Sequence, residues 1–238
     1  MLHYMATFEI NQIISYREMC NQEKQEQLQR GMNFECGGNY SVILMSVKNN
    51  APYADRISVD GQTIYYEGHD LPGDKLKSHD QPISYPSGKL TQNGLFKSAI
   101  DRAKLSKRFP LVRVYEKLQM GIWNYRGLFE ITDYEYMERG GRRVFEYIIS
   151  ITDQDITIAE KHNPRVVIDL EQTRQIPGTV KLEVFKRDKG QCIQCGSKDN
   201  LHFDHILPYS LGGTSLKTEN IQLLCARHNL SKSAKLDY

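Results

Sequence analysis

The sequence predicts an α+β protein in two parts, a larger and mostly β first part and a small second part. A length of 238 residues suits one mid-sized domain followed by a compact one. The first 160 residues contain short β-branched apolar runs separated by glycine-rich turns, which is typical of strands. The stretch 192–238 contains three of the five cysteines, so this end of the chain differs in composition from the first part.

Composition and charge exclude several classes of protein. With 39% hydrophobic and 25% charged residues the chain is globular. Its longest apolar runs are far shorter than the roughly 18 residues that cross a bilayer. The first residues lack a basic stretch followed by an apolar segment, so we expect no signal peptide and a cytoplasmic protein with reduced thiols. The net charge of +2 is too small to identify a partner.

The elements of the first part follow from hydrophobic periodicity. The run 40–47 is almost wholly apolar, which predicts a strand buried on both faces. The pair Gly140-Gly141 predicts a hairpin turn. Further strands are expected at 7–14, 62–66, 111–118, 125–132 and 143–152, and helices at 16–30 and 95–107.

In the second part the strand pattern fades, and Pro177-Gly178 precedes an amphipathic stretch. We expect helices at 179–188 and 220–231 and a short strand at 201–206. The predicted organisation is a first domain over 1–160, a linker over 161–177 and a second domain over 178–238.

Two pairs of metal ligands flank this short strand. Cys192-x-x-Cys195 and Cys225-x-x-His228 are separated by residues 196–224. Two such pairs have the spacing of a closed tetrahedral zinc site, whereas one Cys-x-x-Cys pair alone would equally suit a redox site. We therefore predict a structural Zn²⁺ that stabilises the small second domain.

Chemistry other than zinc binding is expected between the two pairs. Hydrolysis of a phosphodiester requires a hard divalent cation on phosphate oxygens and a base that accepts the proton of water. Asp204 and His205 are residues of these types. Asn229 lies about 100° around the helix from His228, so it can add an oxygen ligand to the same cation. The alternative is a turn aspartate and a loop histidine.

The second part resembles the HNH nucleases of the ββα-metal fold over about 176–232. The resemblance rests on Cys-x-x-Cys, His-Phe-Asp-His-Ile at 202–206, Ser-x-Gly-Gly at 210–213 and Glu-Asn-Ile-Gln-Leu-Leu-Cys-x-x-His-Asn at 219–229. It implies that His205 is the general base, that Asp204 and Asn229 bind catalytic Mg²⁺ or Mn²⁺, and that Asn220 orients the loop carrying His205. The fourth zinc ligand, often cysteine in that family, is His228 here.

The first part resembles the SRA (YDG) domains over about 31–153. The motifs are Gly-Gly-x-Tyr-Ser at 37–41, Tyr-Tyr-x-Gly-His-Asp-Leu at 65–71 and Pro-Leu-Val-Arg-Val at 110–114. The resemblance implies a PUA-like β-barrel that binds double-stranded DNA and extrudes a modified cytosine into a pocket.

An extruded base needs apolar faces to stack on and polar partners at its edge. Tyr53, Tyr65 and Tyr66 are candidates for stacking, and Asp55 is a candidate acceptor for the exocyclic amino group of cytosine. Lys75, in the loop that the resemblance places against DNA, is a candidate contact. The alternative is that the tyrosines belong to the core and the aspartate to a turn.

Together these features predict a modification-dependent restriction endonuclease that reads 5-methyl- or 5-hydroxymethylcytosine. Because one HNH site cuts one strand at a time, we expect a homodimer. Two alternatives are an HNH nuclease whose β domain reads sequence or DNA shape, and a zinc-containing DNA-binding protein without catalysis.

Overall fold

The computed structural model describes residues 8–28, 30–48, 51–58, 62–71, 73–74, 77–152 and 176–233. Over these ranges it confirms the α+β class. The domain boundaries fall partly within 153–175, outside the described residues, and stay a prediction.

The first part is built on an eight-stranded sheet. Its strands are β1 (Ile13–Ser15), β2 (Met32–Asn33), β3 (Ser41–Met45), β4 (Arg56–Ile57), β5 (Thr63–Glu67), β6 (Leu111–Gln119), β7 (Ile122–Arg139) and β8 (Arg142–Ile151). They pair in the order β2-β3-β6-β7-β8-β5-β4, and β1 pairs with β7. Only β3 and β6 run parallel; the other described pairings are antiparallel.

The long β7–β8 hairpin confirms the turn predicted at Gly140-Gly141. These two residues have φ values of 63° and 77°, in the left-handed region that a two-residue hairpin turn of type I′ requires and glycine adopts without strain. The register runs from Arg139 opposite Arg142 down to Phe129 opposite Ile151, with one irregularity near Ile131.

Helix α2 (Gln92–Ser106) covers one face of the sheet, and Thr91 accepts a hydrogen bond from Gly94 N at its start. Phe96 and Ile100 of this helix are fully buried in the largest apolar cluster, together with Ile43, Val114 and Tyr147 from the strands. Helix α1 (Tyr16–Gln22) packs with β1 in a second cluster around Trp123.

Two predicted elements of the first part are shorter than expected. The strand expected over 7–14 reduces to β1, with Gln12 forming a single bridge to His202. The helix expected over 16–30 ends at Gln22. Lys24 has a φ of 52°, which is outside the right-handed helical region. The preceding residue, Glu23, is buried and its carboxylate pairs with Arg113, so the chain does not continue as the exposed helix that its polar composition predicts.

The second part contains α3 (Gly178–Arg187), β9 (Leu201–His205), β10 (Ile221–Cys225) and α4 (Ala226–Ser233). The helix predicted over 220–231 is therefore wrong in its first half. Its residues Ile-Gln-Leu-Leu-Cys form a short apolar run, which periodicity cannot assign to helix or strand. Antiparallel pairing with β9 decides for a strand.

A third apolar cluster joins the two parts. Its buried members come from β6, from the segment leading into α3, from α3 itself and from the β9–β10 hairpin: Leu118, Ile176, Val180, Val184, Phe203, Ile221 and Leu223. Ile13 and Ile122 pack against it from β1 and β7. The hairpin is thus packed on the sheet rather than separated from it.

Buried polar groups accompany this interface. Lys181 of α3 is fully buried, donates to Asn124 Oδ1 at 2.5 Å and lies 3.8 Å from Glu116 Oε2. Arg126 donates to the same Glu116 oxygen at 3.1 Å. Burial, and then the positive charge of Arg126, hold the pKa of Lys181 well below its ordinary value.

No described helix has the length and apolar character needed to cross a membrane.

Candidate nuclease site and base pocket

The four predicted zinc ligands come together. The ligand atoms of Cys192, Cys195, Cys225 and His228 all lie within 4.8 Å of one another. The Sγ atoms of Cys195 and Cys225 are 3.8 Å apart, and His228 Nδ1 is 3.4 Å from the Sγ atoms of both Cys192 and Cys225. Tetrahedral zinc with Zn–S bonds of about 2.3 Å places two sulfurs about 3.8 Å apart, so the donor set fits this ion.

Local structure positions each ligand. Cys192 and Cys195 lie in a tight turn in which Gly196 N donates to Cys192 O at 2.8 Å. Cys225 ends β10 and His228 lies in the first turn of α4, so the second pair spans a strand–helix junction rather than one helix. Burial raises the pKa of the Cys192 thiol, but hydrogen bonds from the Cys225 backbone and from His228 outweigh this effect and lower that pKa to about 6.

Asp204 and His205 end strand β9, at the other end of the β9–β10 pairing from Cys225, which is opposite Leu201. Asp204 Oδ2 accepts hydrogen bonds from Gln222 Nε2 at 2.8 Å and from Lys232 Nζ at 2.6 Å. The Nε2 atom of His205 lies 2.7 Å from the Oγ of Ser215, which is fully buried. Both side chains are thus held by partners from other elements, and both remain partly accessible.

Asn220 is directly opposite the loop that follows His205. Its Oδ1 accepts from Leu207 N at 2.8 Å, and its Nδ2 donates to Leu207 O at 3.1 Å and to Thr214 O at 2.9 Å. A side chain on Gly213 would collide with Leu207 O, 1.9 Å from the position of a Cβ. One asparagine therefore bridges both ends of this loop, and its orienting role toward His205 stays a prediction.

Asn229 lies in α4, one residue after His228. Lys232 is three residues further along, and residues at this spacing share a face of a helix. Because Lys232 reaches Asp204, this face of α4 turns toward the end of β9. Asn229 is three residues before Lys232 on the same side of α4, and its role as second oxygen ligand stays a prediction.

Three of the four predicted pocket residues lie near one another in the first part. Asp55 Oδ2 accepts from Ser46 N at 3.0 Å and Oδ1 from Glu67 N at 3.1 Å. Burial raises the pKa of Asp55 to about 7 in spite of these bonds. The pKa of Tyr66 is raised far above its usual range by burial, and further by its neighbours Asp55 and Tyr53.

Tyr65 is not brought together with those three residues. Successive side chains of a strand point to opposite faces, and Tyr66 of the same strand is the one that joins the apolar core. Tyr65 instead lies under Arg56, whose guanidinium is 4.0 Å from the centre of its ring. Lys75 lies outside the described residues.

Four residues with contacts at these sites are not among the predicted site residues. Gln222, Ser215 and Lys232 hold Asp204 or His205, and Lys77 lies 4.1 Å above the ring of Tyr53. Gln222 alone carried a signal in the sequence. Gln222 is directly opposite Asp204 in the β9–β10 register. A prediction of β10 as a strand paired with β9 would therefore have placed these two side chains together.

Comparison with known proteins gives two findings. Residues 192–235 match the family model described as HNH endonuclease. Among solved structures, the SRA domain of SUVH5 in complex with hemimethylated CG DNA is similar over 64% of this chain and 94% of its own, with 19% identity and a TM-score of 0.47. KRYPTONITE in complex with mCHH DNA, a histone H3 peptide and SAH is similar over 63% of this chain and 33% of its own, at 19% identity and a TM-score of 0.43.

SUVH6 of Arabidopsis thaliana in complex with SAM is similar over 64% of this chain and 28% of its own, with 19% identity and a TM-score of 0.42. A search of curated proteins finds no match. Residues 192–235, which include the four clustered candidate metal ligands, thus match the HNH endonuclease family.

Proposed function

We propose that the chain is a modification-dependent DNA endonuclease. Its first part reads a 5-methyl- or 5-hydroxymethylcytosine that is flipped out of double-stranded DNA, and its second part hydrolyses a phosphodiester with an HNH site. One observation carries the catalytic half: Asp204 and His205 end strand β9, whose partner strand β10 carries one of four clustered metal ligands, in a region that matches the HNH endonucleases.

The proposed roles follow from the contacts of each side chain. His205 accepts the proton of the attacking water, and Ser215 at 2.7 Å orients its ring. Asp204 and Asn229 supply the oxygen ligands that suit Mg²⁺ or Mn²⁺, an ion that stabilises charge on the phosphate and the leaving oxygen. Asn220 keeps the loop after His205 in place. Zn²⁺ stabilises the fold of the module and takes no part in the reaction.

The reader half is supported by the SRA-like sequence motifs and by the surroundings of Asp55. Each Asp55 oxygen accepts one backbone N–H, and each carboxylate oxygen has a further lone pair that can accept from the amino group of cytosine. Tyr53 is only half-buried, so its ring offers a face near that carboxylate.

The test is cleavage of one plasmid prepared without modification, with 5-methylcytosine and with 5-hydroxymethylcytosine, each incubated with Mg²⁺ or Mn²⁺. We expect cutting of modified DNA, and loss of about 10²- to 10⁴-fold in rate for His205→Ala, because a general base is removed. Lys198→Met, an exposed change in the same module, is the matched control and should cut like the parent.

The outcomes separate the alternatives. Equal cutting of modified and unmodified plasmid selects a nuclease whose β domain reads sequence or shape. Binding without cleavage, unchanged by His205→Ala, selects a non-catalytic DNA-binding protein. We further propose a homodimer, since one site cuts one strand; sedimentation of the protein on a modified duplex measures the stoichiometry.

A further inference from the structure

Lys232 places a positive charge directly on the only carboxylate of the proposed catalytic cation site. Its Nζ is 2.6 Å from Asp204 Oδ2, and it also donates to the main-chain oxygen of His205. The two charged side chains are 22% and 20% exposed, so solvent screens this pair less than it would screen a fully exposed one. Gln222 donates to the same Asp204 oxygen.

The pairing leaves the cation site with little negative charge of its own. The proposed protein ligands are one carboxylate, Asp204, and one neutral amide, Asn229. Within the ranges that the structure describes, the zinc cluster is the one place where three or more His, Cys, Asp or Glu ligand atoms converge. Affinity for hard divalent cations rises with the number of anionic ligands, and here Lys232 offsets the single one.

A DNA phosphate would supply the missing charge. A phosphodiester in the site adds one negative charge and oxygen ligands, and it also competes with Asp204 for the Lys232 ammonium. A divalent cation bound between Asp204 and the phosphate would then face two anions instead of one offset anion. Removal of the lysine charge would give the protein alone part of the affinity that otherwise comes from DNA.

We propose that Lys232 is a positioning residue that couples cation binding to DNA binding, an inference that rests on the proposed function. It keeps the cation affinity of the protein alone low, so that the cation is retained when a scissile phosphate is present. Because coupling between two ligands is reciprocal, the cation strengthens DNA binding by the same factor. The nuclease site would thus become loaded with metal on DNA rather than in solution.

The experiment measures Mn²⁺ binding to the zinc-loaded full-length chain by electron paramagnetic resonance, with and without a modified duplex whose phosphorothioate linkages resist cleavage. Lys232→Met preserves length and removes charge, and Lys232→Arg preserves charge. We expect Lys232→Met to bind Mn²⁺ about tenfold more tightly without DNA and to lose about the same factor of enhancement by DNA. Lys232→Arg and the surface control Lys198→Met should behave like the parent.

Asp204→Asn identifies the signal, because it should abolish Mn²⁺ binding at this site. Zinc content and thermal melting of every variant show that the module is folded. Unchanged or weaker Mn²⁺ binding in folded Lys232→Met would overturn the inference, as would a DNA enhancement equal to that of the parent. Failure of the proposed function is a separate result, because it appears as intact plasmid while Mn²⁺ binding still follows the pattern expected for Lys232.

Discussion

The candidate nuclease site and the candidate base pocket are specified by the chain in different ways. The zinc ligands occur as two short pairs, and Asp204 and His205 follow each other on one strand, so sequence spacing alone brings most of that site together. The pocket depends on which face of β5 turns toward the core, and this is decided by pairing with distant β8. Local spacing therefore predicts the first site well and the second only in part.

Removal of a zinc ligand should have the largest effect and should separate the two regions. Cys225→Ala lacks one of four ligands, and structural zinc contributes on the order of 10 kcal/mol to folding of small modules. We expect loss of zinc and of DNA cleavage. The single tryptophan, Trp123 in β7, reports on the sheet through its fluorescence, which should keep a cooperative melting transition in this variant although zinc and cleavage are lost.

Cys36→Ala is the matched control, since Cys36 is a free thiol outside the cluster. It should retain zinc and cleavage. Full zinc content in Cys225→Ala would contradict the four-ligand site.

A second experiment sharpens the contrast within the pocket. Asp55→Ala removes the proposed acceptor, and a lost base contact of about 1–3 kcal/mol corresponds to roughly 5- to 150-fold weaker preference for modified over unmodified duplex. Tyr65 lies on the face of β5 opposite to that of Tyr66, so Tyr65→Ala should leave that preference within about threefold of the parent. Competition binding measures both, and an equal loss in the two variants would place the pocket elsewhere.

The smallest predicted effect concerns pH. The pKa of Asp55 is about 7 in the folded protein, above the value of about 3.9 expected in the unfolded chain. Between these values the folded state binds a proton that the unfolded state has released, so the free energy of unfolding falls as pH rises from about 4 to about 7. In Asp55→Ala this part of the slope, about 1–2 kcal/mol after allowance for partial exposure, should disappear.

Urea unfolding at several pH values, followed by Trp123 fluorescence, measures that slope. An identical pH dependence in parent and variant would show that Asp55 titrates normally.

What the sequence could predict follows the same division. The helix at α2, the β7–β8 turn and the convergence of the four metal-ligand side chains rest on short-range patterns, and these are confirmed. The residues of β10 fit a helix as well as a strand because four of the five are apolar, and only the pairing with β9 separates the two.

The contacts that hold Asp204 and His205 could not be predicted from the sequence, for a related reason. Ser215 and Lys232 act through side-chain reach across loops and helices, which no spacing rule encodes. Tyr65 and Tyr66 are adjacent residues of the same type, so the sequence does not distinguish them. Because neighbouring side chains of a strand point to opposite faces, Tyr66 joins the core and Tyr65 contacts Arg56.

The apolar cluster shared by β6, α3 and the β9–β10 hairpin bears on how such a chain could be rearranged in evolution. Two regions joined only by a tether can be shuffled between proteins without cost to either. Here an excision of the C-terminal region would uncover Leu118 and Ile122 on the donor and Val184 and Phe203 on the fragment. A transplanted C-terminal region would need a recipient with a matching apolar surface and an acidic partner for Lys181. We therefore expect the two regions to have diverged together rather than to have been exchanged between proteins.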